Sequence, residues 1–80
     1  MTLLIDVGNS AVKWAEMQSN GELVHHGQQV HRGVGDVSSL LVEHWRDVQP
    51  GTQVMGCNVA SMSIASAVEG AANTLRLPRA

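Results

Sequence analysis

Residues 6–13 contain the side chains and the glycine that a phosphate-binding turn requires. The preceding segment, residues 2–5, is aliphatic or β-branched throughout and lacks polar alternation, which predicts a strand buried on both faces. Asp6 lies at the end of this strand, and Gly8 and Asn9 are residue types that tolerate positive φ and form tight turns. Gly8 also lacks a Cβ, so a ligand can approach the backbone there. The segment therefore predicts a strand, a phosphate-sized turn and a second strand.

Each polar residue of this segment has a possible role in phosphate binding. A polyphosphate needs backbone N–H donors in a concave turn, positive charge and usually a hydrated Mg²⁺, and the amides of Gly8, Asn9 and Ser10 are candidate donors. The Asp6 carboxylate would repel a phosphate about 4 Å away by roughly 4 kcal/mol at an intermediate dielectric. Its expected role is therefore to orient Mg²⁺-bound water. Lys13 either neutralises phosphate charge or is a solvated strand residue, and both interpretations stay open.

The same residues also fit an ordinary β-hairpin. Gly8 and Asn9 stand between two apolar segments, a pattern that favours a primed turn. In this interpretation Asp6 accepts hydrogen bonds from loop amides and Lys13 is solvated. An exposed hairpin does not need a fully apolar strand that ends in a carboxylate, so the sequence favours the phosphate-binding interpretation.

The pattern along the chain predicts the order β-β-β-α-β-α. Segments 12–17 and 22–30 predict strands, and Ser19-Asn20-Gly21 between them is a strong hairpin signal. Residues 53–59 predict a fourth strand, weakened by Gly56. An antiparallel three-stranded start followed by crossover units indicates an α/β fold.

Both predicted helices have recognisable ends. Asp36 is a good N-cap for a first helix, whose apolar residues recur at helical spacing until Pro50-Gly51 closes it. Ser61 or Ser63 caps a second helix, which Pro78 stops.

Composition excludes several classes of protein. Hydrophobic residues make up 44% of the 80 residues and charged residues 15%, which is typical of a globular chain rather than a disordered one. The net charge of −2 argues against a nucleic-acid partner. No apolar run approaches the roughly 20 residues that span a bilayer, so we expect no membrane partner. The single Cys57 cannot form an internal disulfide, which fits a cytoplasmic protein.

Other candidate residues favour structural roles. Adjacent His25 and His26 should point to opposite faces of a strand, and the four histidines lack helix-spaced pairs, so no metal ligand is predicted. Cys57 has no apparent neighbouring base and is interpreted as a buried thiol. Trp14 and Trp45 are interpreted as core residues rather than platforms for a nucleotide base.

The string Asp-x-Gly-Asn-Ser-x-x-Lys, close behind Met1 and directly after Leu-Leu-Ile, resembles the first phosphate-binding motif of type III pantothenate kinases. That family belongs to the sugar kinase, Hsp70 and actin group of ATP-binding folds. The resemblance implies a ribonuclease H-like (actin-like ATPase) α/β fold, with residues 1–80 as the N-terminal part of an incomplete first lobe and the second lobe absent. It assigns cofactor binding to Asp6, Val7, Gly8, Asn9, Ser10, Ala11, Val12 and Lys13.

The resemblance also implies an activity. Type III pantothenate kinases phosphorylate pantothenate with ATP to 4′-phosphopantothenate, the first step of coenzyme A biosynthesis. The family uses ATP, Mg²⁺ and a monovalent cation, K⁺ or NH₄⁺, and the resemblance implies a homodimer for the full-length protein. Its catalytic aspartate lies in a later motif, so no catalytic residue is assigned here and these residues alone are expected to be inactive.

Three alternatives stay open. One is another phosphotransferase or ATPase of the same superfamily, which would share Asp6, Gly8 and Ser10. A second is a non-enzymatic accessory factor for transcription. A third is an inert gene remnant with an exposed sheet edge that leads to aggregation.

Overall fold

The computed structural model describes residues 1–79, apart from the side chains of Cys57 and Asn58. The prediction that Cys57 is a buried thiol therefore lies outside the described residues. The element order is the predicted one: β1 (Thr2–Val7), β2 (Ala11–Met17), β3 (Leu23–Val30), α1 (Val37–Trp45), β4 (Gln53–Val59) and α2 (Met62–Thr74). The fourth strand has the predicted bounds.

The four strands form one mixed sheet in the order β3-β2-β1-β4. β2 pairs antiparallel with both β1 and β3, whereas β4 pairs parallel with β1. The predicted hairpin at Asn20-Gly21 is confirmed, because Gly21 has a φ of +85° and its amide donates to the Gln18 carbonyl at 2.9 Å. The antiparallel start and the later crossover strand are therefore as expected for an α/β fold.

The core lies between one face of the sheet and the two helices. Leu3, Ile5 and Val7 alternate along β1 toward this side and are buried. Trp45 of α1 is fully buried and meets the half-buried Trp14 edge to face, with 5.4 Å between ring centroids. The interpretation of the tryptophans as core residues is thus confirmed. The remaining core members are aliphatic side chains of β2, β4, the helices and the C-terminal segment: Val12, Val37, Leu41, Val54, Val68, Ala71, Ala72 and Leu77.

The prediction that the first strand is buried on both faces is wrong. Leu4 is only half-buried and Asp6 is exposed. In the described part of the chain both helices contribute to the core on the side of Leu3, Ile5 and Val7, and neither covers the opposite side. We call that opposite side, with Leu4, Asp6, Lys13 and Ala15, the open face.

A bulge in β3 directs two neighbouring histidines to opposite sides. The register of β2 with β3 shifts between Trp14 and Glu16, and His25 has a φ of +53°. His25 Nδ1 donates to the buried Glu16 carboxylate at 2.8 Å on the helix side. His26 instead lies with Lys13 along the open face. The predicted divergence of His25 and His26 is confirmed.

The first helix begins as predicted but ends early. The Asp36 carboxylate caps it, accepting from the Ser39 amide at 3.1 Å and from the Ser39 hydroxyl at 2.7 Å. The helix ends at Trp45, well before Pro50-Gly51, and a turn follows it in which the Val48 amide donates to the Trp45 carbonyl at 3.0 Å.

The second helix is also capped as predicted. Ser61 is the N-cap and accepts from the Ile64 amide at 3.4 Å. The helix stops before Pro78 can act, because Arg76 adopts a left-handed conformation with a φ of +59° and the Leu77 amide donates back to the Ala72 carbonyl at 2.8 Å. Within residues 1–79, neither helix has the length and apolarity needed to cross a bilayer.

Candidate functional site

The turn between β1 and β2, residues 8–10, forms an exposed tip at one end of the sheet. The Gly8 amide donates to the Ala11 carbonyl at 3.0 Å and closes the turn. Asn9 and Ser10 are both exposed. The Gly8 amide is therefore engaged within the turn, and a ligand at this tip would meet the amides of Asn9 and Ser10.

The tip is not a primed turn, so that feature of the ordinary-hairpin alternative is wrong. Positive φ values occur elsewhere in residues 1–79, at His25, Arg76 and three other glycines, but not at Gly8 or Asn9. Gly8 is instead favoured by a close approach, because a Cβ at this position would lie 3.3 Å from the Ala11 carbonyl oxygen, tighter than an ordinary van der Waals contact. The lack of a side chain at Gly8 thus allows the hairpin to close, and it also leaves room for a ligand to approach the backbone.

Asp6 and Lys13 form the base of the turn on the open face. They are direct partners in the β1–β2 register, so their side chains project to the same side. Both are exposed, and they line a shallow depression of about 220 Å³ with Leu4, Ala15 and His26. The Asp6 carboxylate therefore keeps its contact with solvent.

The charges of Asp6 and Lys13 do not neutralise each other by direct contact. The ion pairs found among residues 1–79 join other side chains, and none links Asp6 to Lys13. The Lys13 ammonium thus stands one strand away from a carboxylate without being held by it. This arrangement is compatible with both interpretations of Lys13, as a phosphate contact and as a solvated strand residue.

The remaining predicted site residues can contribute only through their backbone. Val7 and Val12 pair at the end of the β1–β2 ladder, and both side chains are buried in the core. The Val7 carbonyl accepts from the Ala60 amide at 2.8 Å, which ties the end of β1 to the β4–α2 connection. Of the eight predicted residues, the structure places Asn9 and Ser10 at the tip and Asp6 and Lys13 below it.

Sequence reasoning missed His31, which supports the turn from the side of β3. His31 is buried, and its Nε2 donates to the Gly8 carbonyl at 2.8 Å across 23 positions of sequence. Its backbone amide donates to the Ser10 carbonyl at 2.8 Å. No local pattern marks such a contact, since a histidine in a connection is ordinarily solvated.

A second polar cavity lies at the other end of β1 and is separate from the turn. It encloses about 490 Å³ and is lined by Met1, Glu16, His25, His44, Asp47 and neighbouring side chains. The Glu16–His25 hydrogen bond already engages its buried carboxylate. This cavity contains none of the predicted site residues.

The known proteins that we find similar in sequence to this chain share one name. No protein-family model matches the chain. Proteins named type III pantothenate kinase from Polaromonas sp., Paraburkholderia phymatum and Aromatoleum aromaticum are 32%, 36% and 33% identical to it over 65, 73 and 72 residues. These matches cover 78%, 84% and 89% of the chain but only 24%, 25% and 27% of the relatives. The chain thus spans about a quarter of the length of the curated relatives it matches.

Proposed function

We propose that this chain is the ATP-binding part of a type III pantothenate kinase. Residues 1–80 would form the N-terminal part of the first lobe of a ribonuclease H-like, actin-like ATPase fold. Three antiparallel strands followed by a parallel crossover strand support this assignment. The three relatives named type III pantothenate kinase support it independently.

The observation that carries the proposal is the exposed β1–β2 turn with Asp6 and Lys13 paired at its base. The amides of Asn9 and Ser10 would donate to phosphate oxygens, and the Ser10 hydroxyl offers a further donor. Lys13 would offset part of the triphosphate charge as a point charge. Hydrogen bonds to a charged group contribute about 1.5–3 kcal/mol each, so a few of them suffice for weak binding.

Asp6 suits a hydrated Mg²⁺ better than a direct phosphate contact. Mg²⁺ prefers oxygen ligands and keeps several of its waters, and the exposed Asp6 carboxylate can accept hydrogen bonds from those waters. The ion would supply charge neutralisation on the polyphosphate. Asp6 would contribute orientation, holding the hydrated ion on the open face while the turn amides hold the phosphates.

The reaction we propose for the whole protein is transfer of the ATP γ-phosphoryl group to pantothenate, with a monovalent cation such as K⁺ or NH₄⁺ as a further cofactor. In-line transfer needs a group that orients the acceptor hydroxyl, and we assign no residue of this chain to that role. These residues alone should therefore show no turnover. For the whole protein we propose a cytoplasmic homodimer without nucleic-acid or membrane partners.

A nucleotide titration followed by amide NMR tests the proposal on the 80-residue chain. Addition of ATP with Mg²⁺ should shift the Asn9 and Ser10 signals, with a Kd on the order of 1 mM because this turn would be one wall of a larger cleft. Gly8→Val should weaken binding at least tenfold, about 1.4 kcal/mol, since its side chain crowds the Ala11 carbonyl.

The matched control is Gly35→Val. Gly35 lies in the exposed β3–α1 connection, has no atom within 4 Å of an added Cβ and does not adopt a left-handed φ. This variant should bind ATP like the wild type. Equal ATP shifts in the Gly8 variant and the wild type, or wild-type shifts confined to residues remote from the turn, would refute the proposal. Salt-dependent DNA binding at low ionic strength would instead favour the alternative of a non-enzymatic accessory factor for transcription.

A further inference from the structure

The connection between β3 and α1 is bonded to the β1–β2 turn at three points. His31 Nε2 donates to the Gly8 carbonyl at 2.8 Å, the His31 amide donates to the Ser10 carbonyl at 2.8 Å, and the Arg32 amide approaches the same carbonyl at 3.4 Å. Both carbonyls therefore face the connection. A two-residue tip that could otherwise sample several conformations is held at both of its ends.

Because the peptide bond is planar, the hydrogen bond to the Gly8 carbonyl also fixes the direction of the Asn9 N–H. In a trans peptide the C=O of one residue and the N–H of the next point in opposite directions, and residues 1–79 contain no cis peptide bond. Because the Gly8 carbonyl points to His31, the Asn9 N–H must point away from it, outward from the connection. His31 thereby aims one of the two amides on which the proposed phosphate contact depends.

The acceptor also determines the protonation of the ring. A backbone carbonyl can only accept, so His31 Nε2 must carry the hydrogen and, in the neutral ring, Nδ1 must be bare. The imidazole is buried, which restricts its rotation. Neither feature is needed for a residue that merely connects β3 to α1.

We infer that His31 is a positioning residue: its Nε2–H holds the Gly8 carbonyl inward and so presents the Asn9 amide to an anionic ligand at the β1–β2 turn. The ligand part of this inference rests on the function proposed above. The conformational part stands on the hydrogen bonds alone and can be measured without a ligand.

The test compares His31→Leu, which removes the donor, with His31→Gln, whose amide restores one at similar reach. His44→Leu is the matched control, because His44 also donates through Nε2, to the Gln29 side chain at 2.9 Å, but is exposed on α1. Backbone NMR order parameters of Asn9 and Ser10 measure how rigid the turn is. The ¹⁵N chemical shifts of the wild-type His31 ring show which nitrogen carries the hydrogen. Titration with ATP and Mg²⁺ measures ligand binding.

We expect the wild-type ring to be protonated at Nε2 at pH 8. His31→Leu should lower the order parameters of Asn9 and Ser10 and weaken ATP binding at least tenfold, whereas His31→Gln should restore both and His44→Leu should change neither. Circular dichroism shows whether each variant folds. If His31→Leu does not fold, the tautomer and the glutamine variant decide the question.

Two results would overturn the inference: a wild-type ring protonated only at Nδ1, or a folded His31→Leu variant with an equally ordered turn. Failure of the proposed function is distinguishable from both. If wild-type ATP binding is absent while the order parameters and tautomer behave as expected, the positioning of Asn9 is supported and nucleotide binding is refuted.

Discussion

The contact between Gly27 and Trp14 makes the sharpest prediction about stability. Gly27 of β3 lies opposite Trp14 of β2, and the indole covers its backbone. A Cβ built on Gly27 would lie 2.6 Å from Cε2 and Cζ2 and 2.7 Å from Nε1 of that ring. Carbon atoms pack at about 3.5–4.0 Å, so Gly27→Ala must displace the indole by roughly 1 Å.

The displaced indole cannot move without disturbing the core. Trp14 packs edge to face against the fully buried Trp45 and lies 5.1 Å from the His44 ring. Overpacking of this kind costs about 1–3 kcal/mol, which corresponds to a decrease of the thermal midpoint on the order of 5–20 °C for a domain of this size. Urea denaturation of the 80-residue chain measures the change directly.

A matched glycine separates the clash from the general effect of adding a methyl group to a strand. Gly56 of β4 has no atom within 4 Å of an added Cβ and does not adopt a left-handed φ. Gly56→Ala should therefore be neutral or stabilising by up to about 1 kcal/mol, because alanine restricts the unfolded chain.

A double-mutant cycle decides whether the indole is the cause. In a Trp14→Leu background the ring is gone, so Gly27→Ala should cost less than about 0.5 kcal/mol, as expected for a substitution that meets no clash. The difference between the two backgrounds is the coupling energy of the contact. An equal loss of stability in both backgrounds would refute the reasoning, and so would a Gly27→Ala variant as stable as the wild type.

Two further predictions concern helix ends. Hydrogen bonds from the Ser39 hydroxyl and, to a lesser extent, from the Ser39 amide lower the pKa of Asp36 below its ordinary 3.8. The charged cap therefore stabilises the fold fully at pH values above 3.8. This stabilisation is lost as the pH falls through the lower pKa that Asp36 has in the folded chain. Asp36→Asn keeps a capping side chain without the charge, so the thermal midpoint of this variant should fall less steeply at acidic pH than that of the wild type. Parallel curves of thermal midpoint against pH for the two proteins would contradict this. Arg76→Gly should stabilise the chain by about 1 kcal/mol in urea denaturation, because glycine adopts the left-handed φ of +59° without strain, whereas Arg76→Ala should bring no such gain.

Local signals were sufficient for most of the element boundaries. Gly21 marks its hairpin because Asn-Gly forms the required turn at little cost, and Asp36 and Ser61 mark helix starts because their side chains accept from amides three residues on. Each of these interactions spans a few positions, so a single stretch of sequence contains both partners.

The burial of β1 and the role of His31 depend on distant parts of the chain, whereas the end of α2 depends on an unusual local backbone conformation. The burial of β1 depends on which face receives the helices, and β1 is equally apolar on both sides at Leu3 and Leu4. The end of α2 depends on Arg76 adopting a conformation that favours glycine, which no residue type there announces. The role of His31 depends on a partner 23 positions earlier.

The candidate site combines these two kinds of information. Residues 6–13 are contiguous, so their chemistry can be recognised from the sequence. Their geometry is determined from outside the segment: the Ala60 amide holds the Val7 carbonyl, His31 holds Gly8, and the His31 and Arg32 amides hold Ser10. Three of the carbonyls around the turn are thus restrained by the β4–α2 and β3–α1 connections. A peptide of residues 1–17 would contain every proposed phosphate ligand and none of these restraints, and we therefore expect it to lack the ordered turn that the 80-residue chain presents.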